Sequence, residues 1–178
     1  ICRYPQIWKE QWFGPANLDR ADLRISGMDT YAVVASILLQ VLMGLYSVTE
    51  APDKDASRLQ RVVFDVQITL LAIAVISSVF CMVTFLLNKI YAVTALGTYK
   101  DVAYSVFGQI TAKYRVRAFW SLMTALVTFI SSFALNLGSR LGGRKGVVAT
   151  CITLGGGAVI LREWTQVMLM AKTAIFQD

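Results

Sequence analysis

The sequence contains no histidine. That absence removes the usual imidazole base, the Ser-His-Asp triad, histidine-containing zinc sites and histidine-ligated haem. Charge is scarce too: 16% of the residues are Asp, Glu, Lys or Arg, where a soluble domain carries about 25%. Cysteine appears as Cys2, Cys81 and Cys151, never as a C-x-x-C pair, which argues against iron–sulfur, zinc and thioredoxin-type chemistry. Cys81 and Cys151 lie in apolar runs and are expected to be buried structural thiols. The chain opens Ile1-Cys2-Arg3 rather than on methionine, as a processed product or a part of a longer protein would. No basic n-region leading to a short apolar run and an A-x-A site stands there.

What is present is hydrocarbon. Of the 178 residues, 56% are hydrophobic, and the mean hydropathy is +0.58. Residues 30–49, 66–88 and 118–139 carry no charge, and a fourth uncharged run starts at Gly146. That run meets Arg162 and Glu163 and then resumes as WTQVMLMA. A helix rises 1.5 Å per residue, so about 20 residues cross the roughly 30 Å hydrocarbon layer. The expectation is an all-α membrane protein with four transmembrane helices, at about 30–49, 66–88, 118–139 and 146–171. A soluble all-α domain with buried core helices would not need three uncharged runs of that length. Asp29 and Thr30 can cap the first helix, Pro52 stops it, and Asp55 or Ser57 can start the second.

The segments between and before the runs are wetter. Residues 1–29 form a polar N-terminal interfacial segment with Tyr4, Trp8, Trp12 and Phe13, suited to the headgroup region or to a neighbouring subunit. Between spans two and three, Val102, Val106, Ile110 and Tyr114 recur every four residues opposite Asp101, Ser105, Gln109 and Lys113. This pattern predicts an interfacial amphipathic helix, with a strand-like period of two competing from Ile110 onward. More Lys and Arg lie in the N-terminal segment, second loop and tail than in the first and third loops. The bias places both termini on the cytoplasmic, stromal or matrix side.

Several polar residues are candidates for function. Arg162 and Glu163 are costly inside an apolar segment and call for partners on another helix or subunit. A carboxylate neutralised from elsewhere can ligate the magnesium of a chlorophyll, because magnesium favours oxygen; snorkelling to water is the plainer reading. Gln40, Gln67, Asn88, Asn136 and Gln166 lie within or at the ends of the spans. They suit interhelical hydrogen bonds or, less commonly, pigment ligation. Gly155, Gly156 and Gly157 admit a close backbone or a flat ring. The loop GSRLGGRKG lacks the G-K-[ST] ending of a phosphate loop and follows an apolar helix. Its Arg140, Arg144 and Lys145 suit anionic lipid or an acidic neighbour.

No enzyme motif emerges, the basic residues are too dispersed for nucleic acid, and no selectivity-type motif or paired broken helices mark a pore or transporter. The expectation is a non-catalytic accessory subunit of a multi-subunit membrane complex, in contact with other subunits and lipids. A photosystem–antenna supercomplex of the thylakoid is preferred, with chlorophyll and carotenoid as available cofactors. The alternatives are a protomer of an ion channel or small-solute transporter, and a respiratory accessory subunit or assembly factor. Those would place the chain in the plasma membrane or the mitochondrial inner membrane.

Overall fold

The structure, a computed structural model, describes residues 18–52, 57–98 and 100–176. Trp8, Trp12, Tyr4, Phe13 and Asp55 lie outside the described residues. Within them the fold is all-helical, with no strand: α1 Leu18–Ser47, α2 Arg58–Gly97, α3 Asp101–Ile110, α4 Ala112–Leu141 and α5 Gly143–Phe176. Four of these, all but α3, are long and apolar enough to cross a membrane. The chain is therefore described as an integral membrane protein.

The helices outrun the uncharged stretches that announce them. Residues Asp29 and Thr30 do not cap α1; the helix begins about three turns earlier. The segment LDRADLRISGMD holds no proline, and acidic residues at a helix start are favoured by its dipole. Thr30 instead returns its hydroxyl to the Ser26 carbonyl at 3.0 Å, as a residue inside a helix does. Ser57 does begin α2. Its backbone N–H donates to Gln60 Oε1 at 2.9 Å while Gln60 N–H donates to Ser57 Oγ at 3.3 Å, a reciprocal capping box. With no proline to interrupt it, α2 runs for 40 residues, about 60 Å, well beyond the hydrocarbon layer.

Which side chains turn inward distinguishes a membrane protein from a soluble one. The buried residues of α2 are Gln67, Leu71, Ala74, Ser78, Cys81, Phe85, Asn88 and Ala92, spaced alternately four and three apart. Ala118, Leu122, Ala125, Ser132 and Asn136 repeat that spacing along α4, with Phe129 half-buried between. Small and polar residues dominate these faces, while Ile73, Ile76, Phe80, Val83, Leu86 and Leu87 point outward. In water the preference would be reversed. In lipid, burial of large apolar groups brings no gain, and close packing of small residues with shared hydrogen bonds holds helices together.

The chain forms two compact units, each drawing on α1, α2 and α4. In the unit of Ile76–Met123 and the chain up to Val41, α3 is fastened by Tyr104, buried with Ala21 and Ala92 beside Ile25, Ala95 and Leu96. The apolar row of α3, Val102, Val106 and Ile110, is exposed. The strand-like alternative after Ile110 is not realised: only Thr111 separates α3 from α4. Arg115 closes that break, donating to Thr111 Oγ1 at 2.9 Å and to the Gly108 carbonyl at 2.8 Å. It thereby satisfies a carbonyl that the end of α3 leaves without a helical partner.

In the unit of Leu42–Val75 and the chain from Thr124, α4 and α5 form a tight hairpin. Gly142 and Gly143 carry it through φ of 59° and 49°, a region that side chains disfavour. The packing is as close as the turn suggests. A Cβ on Gly146 would strike the Gly138 carbonyl oxygen, and one on Gly157 would lie 2.7 Å from Ile130 Cγ2.

Cys81 is buried as expected, but Cys151 is exposed. It sits on α5, whose apolar stretch is only 11% buried, against 28–33% in the other three spans.

Candidate functional site

At the end of α1, Thr49 folds back on the helix: its N–H donates to the Tyr46 carbonyl at 3.1 Å and its hydroxyl to the Leu45 carbonyl at 2.8 Å. A hydroxyl has one proton. With that proton on Leu45, Thr49 Oγ1 presents only lone pairs to everything else. Two amides meet it there, Gln67 Nε2 and Asn136 Nδ2, each at 3.2 Å. Both must turn their NH2 groups towards Thr49, which fixes the direction of their carbonyl oxygens. Ser132 adds a bond to the Gln67 backbone carbonyl at 3.3 Å. Arg140 donates to the Val48 carbonyl just past the end of α1, where a cation suits the negative end of the helix dipole.

These residues floor and rim a cavity of about 1320 Å³. Gln67 and Asn136, buried in the protein, form the polar floor together with Thr49. Leu59, Val63, Phe64, Leu135 and Val147 supply apolar walls. Glu50 and Arg140, of opposite charge and both exposed, stand at the helix ends. Among the described residues no hydrogen bond runs to Gln67 Oε1 or Asn136 Oδ1; both amides bond through their nitrogens. Sequence reading singled out Gln67, Asn136 and Arg140 but missed Thr49, the residue that joins the two amides. The only available signal was a hydroxyl at the last position of an uncharged run.

The other polar candidates are dispersed. Asn88 is buried in the other unit, donating Nδ2 to the Thr84 carbonyl at 2.7 Å and leaving Oδ1 without a partner among the described residues. Gln40, Gln166, Arg144 and Lys145 are exposed. On α5, Arg162 and Glu163 are exposed, and neither makes an ion pair or hydrogen bond among the described residues. Of the three glycines, Gly157 packs against Ile130, whereas Gly155 and Gly156 have nothing within 4 Å of where a Cβ would stand.

The chain matches no protein-family model, no curated protein and no solved structure.

Proposed function

We propose that this chain is a non-catalytic accessory subunit of a multi-subunit membrane complex, with α5 as its docking helix. The observation that carries this reading is the charged pair on the helix that the chain itself covers least. Gly146 begins the uncharged run of α5, and Arg162 stands sixteen residues further on, a rise of about 24 Å. That leaves the pair about 6 Å short of the far edge of a roughly 30 Å hydrocarbon layer. The long arginine side chain reaches that edge by snorkelling; the shorter glutamate does not. A charge at the centre of a span costs about 2.5–3.5 kcal/mol on insertion scales and less towards its edge, so Glu163, which cannot reach that edge, is the residue that most needs a neighbour. The open surface at Gly155 and Gly156, two turns away, allows that neighbour to come close.

A photosystem–antenna complex is the member of this class that gives Glu163 a chemical task, as an oxygen ligand for a chlorophyll magnesium. Exposed Gln166, one turn further on, offers a second oxygen.

Gentle detergent extraction, a native gel, mass spectrometry of the band and its absorption spectrum test the reading together. The expected result is a band far larger than one chain, with fixed companions that are lost in Glu163→Leu. Pigment per particle should fall in Glu163→Ala if the chlorophyll reading holds. A chain that migrates alone, and on its own conducts ions or exchanges a solute in liposomes, overturns the accessory reading in favour of a channel or transporter protomer.

A further inference from the structure

The cavity floored by Gln67 and Asn136 has a chemistry that α5 docking does not use. We infer that it binds a phospholipid whose phosphate-bearing head also carries N–H donors, ethanolamine being the simplest such head. The floor offers two amide oxygens, held in place because Thr49 can only accept from their NH2 groups. Among the described residues the hydrogen bonds of these two amides run through their nitrogens to Thr49, and none runs to either oxygen. Both can accept from a donor brought into the cavity. Glu50 adds a negative charge at the helix end, a match for an ammonium. Arg140 has further guanidinium N–H groups beyond the one on Val48, and these suit a phosphate.

The walls decide between a lipid and a small solute. Leu59, Val63, Phe64 and Val147 give an acyl chain an apolar path away from the polar floor. A choline head has the same phosphate and a like charge but no N–H, so it satisfies Arg140 and leaves both amide oxygens unmet. That difference is the selectivity of the site.

The test is native mass spectrometry of the full chain released from micelles doped equally with phosphatidylethanolamine and phosphatidylcholine. Wild type is expected to retain the ethanolamine lipid about tenfold over the choline lipid, the size of one or two well-placed hydrogen bonds. Asn136→Leu and Gln67→Leu should bring the ratio to about one, and Arg140→Met should lower retention of both lipids. Because the amides also join helices, Val147→Trp serves as a second variant. It fills the cavity from an exposed wall position without touching the Thr49 bonds, and should abolish the preference while helicity by circular dichroism stays unchanged. Equal retention of the two lipids by wild type overturns the inference, as does an unaltered preference in Val147→Trp. Displacement of the lipid by millimolar soluble phosphoethanolamine overturns the lipid assignment and makes the free head the ligand. None of these readouts depends on companion subunits, so failure here is distinguishable from failure of the docking reading.

Discussion

Lys89 Nζ lies 2.5 Å from the Asp29 carboxylate, joining α2 to α1. These two residues immediately flank the uncharged runs 66–88 and 30–49. Tyr31 sits just inside, stacked on Phe85 at 5.0 Å and edge-on to Phe119 at 5.9 Å.

The pair is part-exposed, at 33% for Lys89 and 46% for Asp29, so its contribution is small, about 0.2–1 kcal/mol. Asp29→Asn and Lys89→Met should each lower the unfolding midpoint in detergent slightly. The double variant should lose less than the sum of the two, and the coupling should shrink as salt is raised. Tryptophan fluorescence during thermal unfolding reads all four proteins. Strict additivity would mean that the two charges do not interact.

The glycines of the α4–α5 hairpin should separate sharply on substitution. Gly146→Ala places a methyl against the Gly138 backbone oxygen, which cannot rotate away, and Gly157→Val overpacks Ile130. Each should destabilise the isolated chain by about 1–3 kcal/mol. Gly156→Val meets nothing within 4 Å and should leave the isolated chain unchanged while weakening its retention in a larger complex. Midpoints in detergent and the native-gel band measure the two effects separately.

Ser57 should matter more than its exposed position suggests. Ser57→Ala removes the hydroxyl that accepts from Gln60 N–H, at a cost of about 1 kcal/mol. Hydrogen exchange should rise in the first turn of α2 and not beyond it. Uniform exchange along α2 would refute a local capping role.

Ser78 points the other way. Its hydroxyl is buried and has no hydrogen-bond partner among the described residues, a state that costs about 1–3 kcal/mol. Ser78→Ala removes the unmet group while leaving the backbone seam intact, so it should raise the midpoint. A drop in stability would show that the hydroxyl is bonded in solution.

The four spans were legible because hydropathy depends only on the absence of charge over a fixed length, and nothing in tertiary structure overrides it. Helix ends were less legible. The start of α1 at Leu18 rather than Asp29 follows from ordinary helix-forming residues upstream, which hydropathy does not register. The amides divided. Gln67 and Asn136 do join helices, as their position in spans suggests, but through a third residue whose single proton sets the geometry. Residues 67, 49 and 136 are far apart in sequence, and no local pattern records that they meet. Cys151 was misjudged because an apolar run says that a residue is in the membrane, not that its own chain covers it. The inward faces of α2 and α4 were readable in principle, from small and polar residues recurring at four-three spacing. A search for large apolar stripes passes over them.

The reversed packing has a consequence for how this polypeptide tolerates change. On the outward positions of α2, such as Ile76, Phe80 and Leu87, any oily side chain serves as well as another, because the surroundings are fluid and have no shape to match. At Ala74, Ser78 and Ala92 an added methylene has no fluid to displace, only a neighbouring helix. Saturation mutagenesis should therefore yield a fold that is permissive on its greasy rind and exacting at its small-residue seams. A version built to live without detergent would be redesigned from the outside alone.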